Sequence, residues 1–231
     1  MLTLEGVVIR LDGFELQADF QVEEGKRVAV IGPSGAGKST LLNAIAGFVE
    51  PVAGRVLWRG AEMTGSAPGK RPISLLFQDN NLFPHLTVAQ NVGLGIHPGL
   101  KLTAEEQARV ERALARVGLE GMGTRKPGRL SGGQQSRAAL ARVLVQRNPL
   151  ILLDEPFSAL GPALKVEMLE LVQDLAGELG ATVLMVSHDP SDMERFADAA
   201  ILVADGVAAA PVAVAELMEN PPPALRDYLG N

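Results

Sequence analysis

Apolar and polar positions alternate at the start of this chain. The stretches "TLEGVVIRL" and "FELQADFQV" flank the turn dipeptide Asp12-Gly13, and "GRVLWRG" (54–60) repeats the pattern. A period of two sends successive side chains to opposite faces, so these stretches predict an antiparallel sheet. Five further runs, "RVAVI" (27–31), "ISLLF" (73–77), "LILLD" (150–154), "TVLMVS" (182–187) and "AAILVA" (199–204), are apolar without alternation. Strands covered on both faces read this way, and helical patterns separate most of these, which predicts a parallel α/β sheet. Between residues 78 and 148 the pattern changes to loops and helices. A capping box, Thr103 with Glu106, opens a helix carrying Val110, Ala113, Leu114 and Val117 on one face until Gly118. Pro162 suits the first turn of another helix, with Leu164, Met168, Leu171, Val172 and Leu175 inward. The organisation expected is one domain over 1–231, with a helical subdomain inserted at about 79–148 and a loosely attached tail at about 219–231.

Composition narrows the class. The chain has 231 residues, is 47% hydrophobic and carries a formal charge of −6. No Lys/Arg cluster stands out, so nucleic acid is not an expected partner. With no cysteine, disulfides, Cys-ligated zinc and thiol catalysis are excluded together. The start "MLTLEGVVIR" lacks the form of a signal peptide, and the apolar tract 199–217 is broken by Asp205, Gly206 and Pro211, so no membrane span is expected.

The chemistry sits where strands meet helices. "GPSGAGKST" comprises Gly32, Pro33, Ser34, Gly35, Ala36, Gly37, Lys38, Ser39 and Thr40, directly after the strand "RVAVI" and at the start of a helix. This is a Walker A loop: the glycines let backbone wrap a triphosphate, Lys38 neutralises β- and γ-oxygens, and the Ser39 hydroxyl binds Mg²⁺. "LILLDEP" ends a buried strand with Asp154 toward the metal and Glu155 toward a water beside the γ-phosphate, as general base. Gln78 follows "ISLLF" and His188 follows "TVLMVS", so both occupy carboxyl ends of parallel strands, where open α/β sheets bind ligands. Gln78 is placed to hold Mg²⁺ or the attacking water, and His188 to hydrogen-bond the γ-phosphate. A second phosphate-binding pattern, "LSGGQ" with Ser131, Gly132, Gly133 and Gln134, opens a later helix.

With these motifs in this order, together with "SALGP" after Glu155, the chain resembles the ATP-binding cassette ATPases, the nucleotide-binding subunits of ABC transporters. The resemblance implies an α/β P-loop NTPase with a parallel core sheet, an N-terminal antiparallel β subdomain and an inserted helical subdomain, using ATP and Mg²⁺. It implies a head-to-tail homodimer in which Ser131, Gly132, Gly133 and Gln134 serve the partner's ATP. It also implies docking on membrane permease subunits at the cytoplasmic face of the inner membrane, with a periplasmic solute-binding protein in the full complex. The segment "DNNLFPHLTV", with Leu82, Phe83, His85 and Leu86, is either the permease contact or a loop packing on its own subdomain. The stretch "RPISLLFQDNNLFPHLTVAQNVGLGIHPGLKLTAEE" is similar to the ATPases of bacterial thiamine importers, which implies uptake of thiamine or its phosphate esters. Iron, molybdate, polyamine and sulfate importers, and behind them a soluble ABC ATPase outside transport, are the alternatives.

Two positions depart from the family pattern. Gly161 stands where "SALD" has an aspartate that helps link the two sites of the dimer. No aromatic occupies 9–13, where the family stacks one on adenine, which leaves Leu11 or Phe14 as substitutes. Loss of stacking relaxes base selectivity. GTP is therefore expected to be turned over at a rate comparable to ATP in a steady-state assay, and a strong preference for ATP would refute this.

Overall fold

The computed structural model describes residues 1–11, 13–77, 81–223 and 225–226. Strands β1 (Leu2–Leu11) and β2 (Phe14–Val22) form an antiparallel pair with Leu11 opposite Phe14. The parallel array contains β3 (Arg27–Ile31), and β4 (Ala53–Trp58) covers the other edge of β1, with the short β5 (Ala61–Glu62) beyond it. The remaining parallel strands are β6 (Ile73–Leu76), β7 (Leu150–Asp154), β8 (Thr182–Val186) and β9 (Ala199–Ala204), in the order β6-β7-β8-β3-β9.

The sequence pattern alone reads as two sheets, whereas the described strands join into one sheet of eleven. The link is β10 (Val207–Ala208), antiparallel to β9 and parallel to β2. Two residues of pairing on each side close edges that both arrays would otherwise expose. A further short strand, β11 (Val212–Ala213), pairs with β9.

The unbroken apolar runs are explained by burial on both faces. Leu150, Leu152, Leu184 and Val186 enter a core shared with the antiparallel strands and with Leu41, Leu42 and Ile45 of α1 (Lys38–Ala46). Their neighbours Ile151, Leu153, Val183 and Met185 enter a core on the opposite side. Among the described residues, three α-helices lie between β6 and β7: α2 (Val88–Gly93), α3 (Ala104–Arg116) and α4 (Gly132–Gln146). The capping box of α3 forms, and Val110, Ala113, Leu114 and Val117 are buried as expected. Helix α4 packs Ala139, Leu140 and Val143 against the β7 side, and Ala138, Ala141 and Val145 against α2 and α3. In α5 (Pro162–Leu179) Leu169 joins the expected Met168, Val172 and Leu175, while Leu164 and Leu171 are only half-buried, because the helix buries a stripe wider than one row.

Past α6 (Pro190–Phe196) and α7 (Val214–Glu219), Leu225 is held more firmly than the local composition predicts. Leu225 is fully buried with Met193 and Leu217, so loose attachment does not hold there, while Ala224 and residues 227–231 of the expected tail lie outside the described residues.

One buried cation holds the far end of α1. Arg71 is 6% exposed and donates from Nη1 to the carbonyls of Ala44 (3.0 Å) and Ile45 (2.7 Å) and from Nε to that of Ser66 (3.0 Å). The first two are last-turn carbonyls of α1, where the helix ladder runs out, and Ala44 O also accepts from Gly47 N–H at 3.2 Å. Gly47 ends the helix in the left-handed region (φ 89°), and a Cβ there would fall 2.5 Å from Arg71 Nε. Arg71→Met removes the donor to the buried Ile45 carbonyl and the second donor to Ala44, so a loss of about 1–3 kcal/mol is expected, read as a lower urea midpoint at unchanged m-value.

Candidate active site

Because β6, β7, β8, β3 and β9 run parallel, their carboxyl ends share one edge, and the register is tight: Asp154 lies opposite Val186, and Val186 opposite Val30. The Walker A loop leaves β3 at this edge. Gly32 has φ 142°, and a Cβ there would collide with the Val203 carbonyl oxygen of the neighbouring strand, so only glycine fits. Pro33, Ser34 and Gly35 are exposed on the loop, with Ala36, Gly37 and Thr40 half-buried. Gly37 (φ 102°) is the N-cap of α1, with no side-chain cap and no acidic residue in the first turn. The first N–H groups of α1 are thus left to an anion, with the helix dipole behind them. Lys38, 7% exposed, donates from Nζ to the carbonyls of Gly32 and Pro33, both at 2.8 Å. Burial lowers its pKa, against the opposing pull of Glu155 and Asp154.

Asp154 accepts a hydrogen bond from Ser39 Oγ at 2.9 Å. Burial raises its pKa; the Ser39 bond and Lys38 work against that rise and Glu155 adds to it. The next residue turns. Glu155 has φ 44°, a left-handed conformation that costs an ordinary residue about 1–2 kcal/mol. Its N–H donates to Val186 O at 3.2 Å, and its Oε2 lies 3.3 Å from His188 Nδ1. Asp154 and Glu155 therefore part: one lies beside Ser39, the other against the end of β8. Among the described residues no group of three or more His, Cys, Asp or Glu is placed to hold a metal by itself. The hard oxygens of Ser39 and Asp154 fit an ion that draws its remaining ligands from phosphate and water, which is the habit of Mg²⁺. Gln78, expected at the same edge after β6, lies outside the described residues.

The second phosphate-binding pattern is not part of this cluster. Ser131 caps α4 in a reciprocal box with Gln134: Gln134 N–H to Ser131 Oγ at 3.3 Å, and Ser131 N–H to Gln134 Oε1 at 3.0 Å. Ser131 and Gly132 are exposed, and the side chains of Ser131 and Gln134 bond to each other's backbone N–H. Gly133 is buried with Leu164 of α5 where a Cβ would project. Ser131 and Gly132 thus stand exposed at the start of α4, away from the cluster around Lys38.

Sequence reasoning missed several residues that shape the site. Asn91, fully buried in α2, accepts from Phe83 N–H at 2.7 Å and donates to the carbonyls of Phe83 and Thr87, both at 3.0 Å. It fixes the loop whose Phe83 and His85 are exposed, while Leu82 packs into the chain's own cores. The box "TVAQ" (Thr87 with Gln90) was a legible signal for α2; nothing local marked Asn91. Phe83 borders a cleft of about 250 Å³ with Phe48, Phe77, Ile73 and Arg142. Of the substitutes for an adenine-stacking aromatic, Phe14 presses its ring on Gly37, while Leu11 is 43% exposed at the hairpin end.

With the geometry in place, relatives become informative. The family model described as ABC transporter matches residues 16–158. This chain belongs to the ABC transporter family. It is 62% identical over 230 residues, covering 100% of both chains, to the thiamine import ATP-binding protein ThiQ of Cereibacter sphaeroides. It is 61% identical over 230 residues, again covering 100% of both, to the protein of the same name from a Ruegeria species. Among solved structures it is similar to the dimeric ATP-binding cassette MJ0796 in a post-hydrolysis state bound to ADP and Pi, with TM-score 0.80 and 32% identity over 93% of this chain and 99% of that one. The P-loop fold and the family expected from the ordered motifs are both borne out.

Gly161, the departure from "SALD", is the exposed N-cap of α5 (φ −66°, ψ 157°), without a side-chain cap, and a Cβ there would meet nothing within 4 Å. Gly161→Asp is expected to fold with Tm unchanged or raised by about 1–2 °C, since aspartate is a better cap. The same variant should change the ATPase rate or its cooperativity, and identical kinetics in the two forms would dismiss a role for the missing carboxylate.

Proposed function

We propose that this chain hydrolyses ATP to drive a membrane importer of thiamine and its phosphate esters, working as a head-to-tail homodimer. The observation that carries the reading is the convergence of Lys38, the Ser39–Asp154 pair and the Glu155–His188 pair at one sheet edge, with the start of α4 turned outward. The triphosphate lies along the residues Gly32–Thr40, and Lys38 exchanges its two carbonyl partners for β- and γ-oxygens. Ser39 and Asp154, with Gln78, would hold Mg²⁺, whose charge offsets that of the phosphates. Glu155 takes a proton from water as the water oxygen bonds to the γ-phosphorus. The bond from that phosphorus to the bridging oxygen breaks, ADP keeps the electron pair, and inorganic phosphate is the second product. His188 hydrogen-bonds the γ-phosphate and holds Glu155 beside it.

Ser131, Gly132, Gly133 and Gln134 serve the γ-phosphate on the partner chain, so ATP favours the closed dimer by its differential affinity. The dimeric form of the MJ0796 cassette supports this arrangement. The exposed Phe83 and His85, beside the cleft under Phe48 and Phe77, are the surface offered to a permease at the cytoplasmic face of the inner membrane. Among the described residues no helix is long and apolar enough to cross a membrane, which suits a peripheral subunit. A periplasmic solute-binding protein completes the assembly. Thiamine enters the reading through two relatives named as thiamine import ATP-binding proteins, more than 60% identical over 230 residues.

The test is complementation of a strain lacking its own importer ATPase and dependent on external thiamine. The wild-type chain is expected to restore labelled thiamine uptake, and Glu155→Gln to restore none while losing at least about a hundredfold in ATPase rate. Uptake restored by Glu155→Gln would remove the hydrolytic reading, and restored transport of a different solute in place of thiamine would reassign the cargo.

A further inference from the structure

His188 is an exposed member of the cluster, with a side chain 57% accessible, and its contact with Glu155 is its only ion pair among the described residues. An exposed imidazole has free rotamers, so its aim depends on the backbone that carries it. That backbone is held from both sides by one lysine. Lys165 stands one turn into α5, its side chain 16% exposed, with Nζ 2.8 Å from Asp189 Oδ2 and 2.8 Å from Asp192 Oδ2. Asp192, 5% exposed, accepts a short hydrogen bond from Ser187 Oγ. Ser187 Oγ in turn accepts from Asp189 N–H at 3.1 Å, and Asp189 Oδ1 caps α6 through Ser191 N–H at 3.0 Å. The residues on either side of His188 are thus tied to one ammonium, directly at Asp189 and through Asp192 at Ser187.

We infer that Lys165 is a positioning residue for hydrolysis: its ammonium, clamped between Asp189 and Asp192, fixes the backbone of 187–189 and thereby aims His188 at the reacting phosphate and Glu155. The inference goes beyond the ATPase reading and rests on it, since it gives Lys165 no contact with nucleotide. An exposed ion pair on a surface is worth little. This one differs in having one cation between two carboxylates, one of them buried, and in having every other bond of those carboxylates spent on residues 187 and 191. Misplacing a reacting group by about 1 Å costs on the order of a hundredfold, so the loss of a clamp one residue away is felt in the chemical step before it is felt in binding.

The test compares purified wild type, Lys165→Met and Lys165→Arg, each rate taken above that of Glu155→Gln. Lys165→Met is expected to lower kcat by about tenfold with KM for ATP within about twofold of wild type, and Lys165→Arg to recover most of the loss. The chain has three histidines, so their ring signals are assignable by NMR with His188→Ala as reference. In Lys165→Met the His188 signals should shift while those of His85 and His97 stay in place. Unchanged kcat, a change confined to KM, or unmoved His188 signals would each overturn the inference. If Lys165→Met does not fold, Asp189→Asn asks the same question, because the amide oxygen still caps Ser191 N–H while the charge is gone: a lowered kcat with shifted His188 signals supports the clamp, and wild-type values in both overturn it. A wild type with no Glu155-dependent turnover would instead sink the ATPase reading itself.

Discussion

Parallel pairing of β7 with β6 on one side and β8 on the other, with β8 running on to β3, is the constraint on which the rest of the site depends. Parallel strands end at the same edge, so the residues that follow them meet there whatever their separation in sequence. Ser39 and Asp154 are 115 residues apart and share a hydrogen bond because α1 starts beside the end of β7. The pairing persists because β7 and β8 are wet on neither face: alternate side chains enter different cores, each roofed by helices. A register slip of one residue would exchange the two sets and turn Asp154 away from Ser39.

Two helix starts offer donors to phosphate, and their local chemistry separates them. At α1 the cap is a left-handed glycine without a side chain, so the N–H groups and Lys38 face a loop of the same chain. At α4 the cap is a serine engaged in its own box, set at an exposed position and followed by two glycines. The first is built to enclose, the second to present. On the proposed head-to-tail dimer, a site that uses both is complete only when two chains meet, which would make closure responsive to the nucleotide.

Helix α5 joins these parts inside one chain. Its Leu164 occupies the space beside Gly133, its Glu167 pairs with Arg137 of α4 at 2.6 Å, and its Lys165 reaches the loop of His188. Arg137 also donates to Val117 O at 2.9 Å, which extends the connection to the end of α3. The start of the helix that follows Gly161 therefore touches both Gly133 and the residues that flank His188. The clamp at Lys165 lies within the chain and does not use the side chain that Gly161 lacks.

Much of this was legible in the amino-acid order because the signals are local. The period of two, the unbroken apolar runs, the T-x-x-E box before α3 and the glycines of 32–37 each depend on the bonding of a few neighbouring residues, which any fold must satisfy. The sequence by itself determined the strand and helix types, the Walker A loop and which carboxylates stand at the end of β7. Only the tertiary structure decided that β10 joins the two arrays into one sheet, that Leu225 is buried beside Met193 and Leu217, that Asn91 ties the loop bearing Phe83, and that Lys165 meets Asp189 and Asp192. Those contacts join residues with no periodic relation, and burial selects them only after the helices have packed.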